Sequence, residues 1–274
     1  MEQTEARPRP PLALGKGGLV LAAVLLLAGW LLNTPPGFLG KADAVGYAVC
    51  HRIDARSFHI GTRQLPLCVR CTGMYLGAML ALIYQGCLAP RRGRLPSWRA
   101  WIPLGLLVLA FAVDGANSYA HLIPALNLPS LYEPRHWLRL LTGMGMGLVM
   151  LLTLFPVFNQ TVWRYWIDRP ALGGWRSWAG LIGLALVLYL LVLTESPLVL
   201  YPLAFLTSGG VLVILSMTYG ILWLMIFKRE NRYTSLRQLI WPLLAGFTTA
   251  ILQIIALDFV RYLLTSTWGG ISLG

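Results

Sequence analysis

"WLRLLTGMGMGLVMLLTLFPV" runs from Trp137 to Val157 and holds a single charged residue, Arg139. A helix rises about 1.5 Å per residue, so about twenty apolar residues cross the roughly 30 Å hydrocarbon layer of a bilayer. This stretch therefore reads as a transmembrane helix. Six further runs of the same kind surround it: Gly17–Asn33, Thr72–Ala89 and Trp101–His121 before it, and Trp178–Thr194, Thr207–Phe227 and Leu239–Leu263 after it. The expected fold is all-α: a polytopic helical membrane protein of about seven spans. The connectors "NTPPG", "APRRGRLPSWR", "DRPALGGWRS" and "KRENRYTSLRQ" collect the proline and much of the charge. Trp98, Trp101, Trp163, Trp166, Trp175 and Trp178 lie near run ends, as interfacial belts require. The run "GMGMG" at Gly143–Gly147 falls inside a helix, so it reads as close helix packing rather than a nucleotide loop.

Composition agrees. The 274 residues are 57% hydrophobic and 12% charged, against about a quarter charged in a soluble domain. Mean hydropathy is +0.66. There is no internal repeat, and no low-complexity segment beyond a polar N-terminal tail. Residues 1–16 are read as that tail and 17–274 as one helical membrane domain. The net charge of +12 would suggest nucleic acid in a soluble protein. Here the basic residues are scattered between apolar runs and no nucleic-acid motif appears, so the expected partner is the lipid bilayer. The first run also has the n-region of a signal peptide (Arg7, Arg9, Lys16) and a small-x-small triplet, Ala42-Asp43-Ala44. That triplet lies about ten residues beyond the apolar core, far for cleavage, so a retained helix is expected.

Lys and Arg in short loops set orientation. With the N-terminus inside, inner segments hold Arg91, Arg92, Arg94 and Arg99, then Arg164, Arg169 and Arg176, then Lys228, Arg229, Arg232 and Arg237. The outer segments are sparse, with Arg135 the only Lys or Arg after the third span. The exception is the outer loop 34–71, which carries Lys41, Arg52, Arg56, Arg63 and Arg70. The expectation is N-in and C-out, in the cell membrane, with this loop extracytoplasmic.

The same loop holds three of the four cysteines, Cys50, Cys68 and Cys71, with His51 and His59. Cys87, near the inner end of the second span, reads as a buried packing residue. The topology brings polar residues of several spans to the same outer end. Asp114, Asn117 and His121 share one helix face. Glu133 and Arg135 precede His136, Arg139 and Gly143, which share another. Glu195 ends the fifth span, and Asp258 and Arg261 lie near the end of the seventh. A charge at such depth costs roughly 2.5–3.5 kcal/mol unless it is paired. Two arrangements satisfy this: ion pairs between helices, such as Asp258 with Arg139, or a polar pocket built from the third, fourth and seventh spans and roofed by the loop.

"CHRIDARSFHIGTRQLPLCVRCTGMYLG" (Cys50–Gly77) resembles the signature of a family of bacterial integral membrane proteins, the "domain of unknown function 2085" family. The pattern is matched at Cys50, His51, Arg56, Ser57, Phe58, Gln64, Pro66, Cys68, Arg70, Cys71 and Gly73. A second element resembles Asp114-Gly115 with Arg139 and Thr142-Gly143. Where the family has Asn-x-x-Arg, this chain reads His136-Trp137-Leu138-Arg139. The resemblance covers roughly residues 45–150. It implies a membrane protein with a Cys/His motif and implies no reaction.

Three chemistries suit the motif. Zn²⁺ favours tetrahedral Cys/His shells, and Cys-x-x-Cys is the usual hook. Cys50, Cys68 and Cys71 would supply three ligands and His51 or His59 the fourth; adjacent Cys50 and His51 are awkward together. The second is thiol–disulfide chemistry, with Cys68 and Cys71 at the start of a helix, where the dipole and Arg70 or Arg63 favour a thiolate, and Cys50 as the exchanging thiol. A plain structural disulfide is its bland counterpart. The third is anion capture, as in a transporter or an anionic-lipid-binding protein, by Arg52, Arg56, Arg63, Arg70, Arg135 and Arg139, with Gln64 among the polar residues of the loop. Its counterpart is that these arginines contact lipid headgroups or acidic partners. The leading expectation is a zinc site capping a polar intramembrane pocket.

Overall fold

The structure, a computed structural model, describes residues 13–122 and 131–270. The tail residues 1–12, with Arg7 and Arg9, lie outside the described residues, as does part of the connector after the third span. Eight α-helices are described: α1 (Ala13–Asn33), α2 (Gly37–Val49), α3 (Val69–Leu88), α4 (Trp98–Leu122), α5 (His136–Val162), α6 (Trp175–Leu193), α7 (Pro197–Ile226) and α8 (Ile240–Thr265). All except α2 are long and apolar enough to cross a membrane. The seven expected spans are therefore present. Two of them extend well beyond the expected bounds. α7 starts at Pro197, ten residues ahead of Thr207, and runs through Pro202. α5 continues past Pro156 to Val162. Proline is welcome in a first helical turn and is tolerated within spans where neighbours re-satisfy the freed carbonyls.

The stretch 34–71, expected as one loop, contains α2, a single 3-10 turn at Asp54–Arg56 and a small antiparallel hairpin of β1 (His59–Ile60) and β2 (Arg63–Gln64). α2 has thirteen residues, about 20 Å of helix, too short to span. Gly40, Ala42, Ala44 and Gly46 are buried along it, and it packs on α7 and α8. A methyl group at Gly46 would overlap the carbonyl of Pro66, which fixes how closely α2 approaches the second half of the motif.

The centre of the bundle is the α3–α5 pair. A Cβ at Gly73 or Gly77 would overlap the carbonyl oxygen of Leu140 or Met144, and one at Gly143 or Gly147 would overlap that of Arg70 or Met74. Small residues on both partners let the two backbones touch. The packing expected of Gly143–Gly147 is thus observed, with Gly145 against Leu107 of α4. Around this pair, α7 packs on α3 and α5, α8 on α7, and α1 on α8, while α4 flanks α5 and α6 lies against α3 and α5. Outward-facing Leu21, Leu25, Leu106, Leu109, Leu186, Leu190, Phe259 and Leu263 are exposed, as a lipid-facing surface requires. Cys87 is also on an exposed face of α3 rather than buried, whereas Gln85 in the same turn faces α5 and donates to Leu151 O (2.9 Å).

The two ends of the bundle differ. At one end, β3 (Arg92–Arg94) pairs in parallel with β4 (Ile167–Pro170). The Arg164 N–H donates to Tyr233 O (2.9 Å), Arg91 to Thr234 O (2.9 Å), and Asn159 to Arg92 O (2.9 Å). The arginine-rich connectors thus meet there. The cysteine motif is at the other end.

Candidate metal centre

Cys50 ends α2, its N–H bonded to Gly46 O (2.9 Å). Cys68 precedes the first residue of α3, and Cys71 lies in that helix's first turn. Pro66 turns the chain into this start. The Cys68 N–H donates to Cys50 Sγ (3.3 Å), which brings the two halves of the motif together. All three Sγ atoms lie within 4.8 Å of one another, and the thiols are free. Zn–S bonds of about 2.3 Å in a tetrahedron require sulfurs ~3.8 Å apart, so the three sulfurs are close enough that they could hold a metal ion. Its surroundings are apolar and firm: Trp30, Val45, Leu67 and Ile254 pack about it.

The trio shares charge unevenly. The Cys50 thiol is pushed up to about 11, chiefly by its hydrogen bond with Cys68. Cys68 is held well below the usual thiol range, first by the Cys50 and Cys71 hydrogen bonds and further by the Arg70 guanidinium. Cys68 stands at the α3 N-terminus, where the helix dipole lowers a thiol in the same direction.

Arg261, near the end of α8, clasps the Cys50 segment. Its guanidinium donates to the carbonyls of Tyr47, Cys50 and His51 and lies 4.0 Å from the Tyr47 ring centroid. Arg52, in left-handed backbone (φ 52°), and Arg63 share the Asp43 carboxylate at 3.0 and 2.6 Å. Gln64 donates to Arg52 O (2.9 Å) and Ser57 Oγ (2.7 Å). These contacts fasten the hairpin below the cysteines.

The histidines stand apart from the sulfur group. His59 Nε2 faces Asp54 Oδ1 at 2.9 Å. The exposed His51 ring is edge-on to Tyr119, with centroids 6.5 Å apart. His51 does border a cavity of about 330 Å³ into which Cys68, Cys71, Arg56, Arg70 and Arg139 also face.

Asp114, 1% exposed, anchors one wall of this region. Arg70 Nε donates to its Oδ2 at 2.9 Å, and a second Arg70 nitrogen bonds the same carboxylate, the Asp114 carbonyl and Ser118 Oγ. Tyr132 O–H donates to Asp114 Oδ1 (3.0 Å) and Thr142 O–H to Oδ2 (3.3 Å). Burial, then the bond to Asp114, pushes the Tyr132 hydroxyl up to about 12. Arg56 donates to Ser118 O (2.7 Å), and burial followed by repulsion from Arg70 lowers its pKa. Asn117 secures the connector, accepting from Leu131 N–H (2.7 Å) and donating to Tyr132 O (2.8 Å). His136 lies against Ala55 O and the Phe58 ring.

The expected convergence of the third, fourth and seventh spans is only partly met. Asp114 and Arg139 do meet the motif. Asp258 does not pair with Arg139: its Oδ2 accepts from Trp30 of α1 (3.2 Å), and it borders a separate cavity between α1 and α8. The reason is helix order, because α8 packs on α7 and α1 rather than on α4. His121 and Arg135 are exposed. Asp43, Ser118, Tyr132 and Trp30 were missed as site residues. Asp43 carried one usable signal: an acid within a turn or two of an arginine-rich segment.

A sequence profile of the family described as "Predicted membrane protein (DUF2085)" matches residues 50–153. An uncharacterized protein of Methanocaldococcus jannaschii is 27% identical over 44% of this chain and 70% of its own length. An uncharacterized protein of Methanothermobacter thermautotrophicus is 33% identical over 38% of this chain and 83% of its own. Both relatives are archaeal, whereas the motif suggested a bacterial family. No solved structure matches. With the motif helices, the sulfur group and a relative covered over most of its length all in agreement, this chain belongs to the DUF2085 family of predicted membrane proteins.

Proposed function

We propose that this chain is a multi-pass protein of the cell membrane whose Cys50, Cys68 and Cys71 hold zinc at the extracytoplasmic end, above the arginine-lined cavity. The observation behind this reading is the approach of three sulfurs to within 4.8 Å. They come from two chain segments fastened by Arg261 and by the α3–α5 contact. Soft thiolates select zinc over hard cations. Neither histidine stands with the sulfurs, so water or a molecule in the cavity takes the fourth position, as in zinc sites with three protein ligands. Zinc bound there would neutralise the thiolates and tie the end of α2 to the start of α3. The orientation follows from the gathering of Lys and Arg at the opposite end, which the positive-inside rule assigns to the cytoplasm.

The test is metal analysis of detergent-purified protein with thiol counting before and after chelation. The reading expects one zinc per chain, lost in a Cys50→Ser/Cys68→Ser/Cys71→Ser variant, and three thiols that become reactive once the metal is removed. Protein that carries no metal, and binds none when zinc is supplied, would overturn it.

The depressed Cys68 thiol favours one other reading, a thiol–disulfide exchanger in which Cys68 and Cys71 form a disulfide and Cys50 exchanges with it. Forming that bond releases two electrons and two protons, which a membrane quinone would accept. A redox-active Cys68–Cys71 bridge in metal-free protein is its signature.

A further inference from the structure

We infer that the cavity bordered by Arg56, Arg70 and Arg139 binds an oxyanion of the phosphate class. The central observation is Arg139. It is 6% exposed, and its guanidinium makes no hydrogen bond to any described residue; Nε is buried without a partner. A guanidinium offers five N–H donors and cannot shed its charge. Leaving it buried and unpaired costs several kcal/mol.

The neighbours do not relieve that cost. Arg56 and Arg70 are close enough to act electrostatically on Arg139, and both repel it. Asp114 is the acid in reach, and it is already engaged by Arg70, Tyr132 and Thr142. Three guanidiniums thus face one carboxylate and at most one thiolate, that of Cys68. Zinc held by three thiolates would add one net negative charge, still short of balance, so the inference holds with or without the metal. Arg56 gives a hydrogen bond to Ser118 O from one terminal nitrogen alone, and its other N–H groups remain for a ligand. Guanidinium forks match phosphate oxygens in paired bonds. The space of about 330 Å³ exceeds one phosphate and reaches the lower range of small-molecule pockets. Phe111 and Tyr119 of α4 supply an apolar wall for whatever the phosphate carries. A free phosphate ester and a lipid headgroup share this chemistry.

The test uses full-length protein in detergent, chelator-treated so that the result is independent of the cysteine site. Inorganic phosphate is titrated calorimetrically. Binding is expected to weaken at least tenfold in Arg139→Gln and in Arg56→Gln, and to stay unchanged in Arg135→Gln, whose side chain is exposed. A parallel arm extracts the protein from nanodiscs of phosphatidylglycerol or phosphatidylcholine for native mass spectrometry. Retained phosphatidylglycerol that is lost in Arg139→Gln and displaced by phosphate supports a headgroup ligand. Phosphate binding without retained lipid supports a soluble ester. Arg139→Lys, which keeps charge but loses the fork, should retain folding and recover part of the binding. Binding of both probes that is indifferent to Arg139 and Arg56, or absent from folded wild-type protein, overturns the inference.

Discussion

The Cα of Gly143 packs on the carbonyl of Arg70 so closely that a methyl group there would overlap the oxygen. One turn earlier on the same helix is Arg139, and Arg70 itself reaches Asp114. The contact that sets helix spacing therefore also sets the distance between two of the cavity's guanidiniums. Gly143→Ala should destabilise the protein by about 1–3 kcal/mol, the usual cost of overpacking against an element that cannot yield. Gly183→Ala in α6, where a Cβ meets nothing within 4 Å, should be neutral or mildly stabilising. Unfolding midpoints in detergent micelles measure both, and equal effects at the two glycines would contradict the assigned packing.

Arg70 and Asp114 form a largely buried pair, 16% and 1% exposed in their side chains. Removing one partner strands the other, so Arg70→Met or Asp114→Leu alone should each cost about 3–5 kcal/mol. The double variant should recover much of that loss. A double-mutant cycle on unfolding free energies reads the coupling directly; additive losses would mean that the pair does not act as a unit.

Arg261 touches no sulfur, yet it holds three carbonyls around Cys50. On the zinc reading, Arg261→Gln should lower zinc affinity by about 10–100-fold, as loss of outer contacts does at metal sites. Amide exchange at residues 50–53 should rise in parallel. Chelator competition and hydrogen-exchange mass spectrometry check the two effects, and tight zinc binding with a loosened segment would separate the clasp from the metal.

Arg135 and Arg237 are exposed near opposite ends of the bundle. On a background lacking the native cysteines, Arg135→Cys should react with a membrane-impermeant maleimide in intact cells. Arg237→Cys should react after lysis alone. The reverse pattern would invert the orientation, and the metal site would then face the cytoplasm.

The spans could be read from sequence because each is a long apolar run, and bilayer thickness demands such a run whatever surrounds it. α2 could not. Its thirteen residues mix Lys41 and Asp43 with small residues, and its helicity rests on packing against α7 and α8, which no periodicity announces. The start of α7 was hidden by Pro197 and Pro202, both compatible with a helix in lipid. At the site, spacing alone grouped Cys50, Cys68 and Cys71, because a hook and a third cysteine eighteen residues upstream need one turn to meet. Span direction alone puts Asp114, Arg70 and Arg139 at the same end as the cysteines, and they lie together there. The separation of Asp258 from Arg139 was not legible, since it depends on which helix neighbours which, and up-down topology leaves that order open. His51 and His59 had the right chemistry by type, but the hairpin carries His59 towards Asp54.

The four glycines at the α3–α5 seam, Gly73, Gly77, Gly143 and Gly147, have a mechanical result. With main chain resting on main chain, no side-chain rotamer is available to absorb a slip, so sliding or rolling one helix past the other means prising them apart. Cys71 and Arg139 therefore ride on a single stiff strut. Any breathing that admits a molecule to the chamber falls to the walls around that strut: the 49–56 segment, and α4, which the Arg70–Asp114 pair and side chains such as Leu107 hold against it.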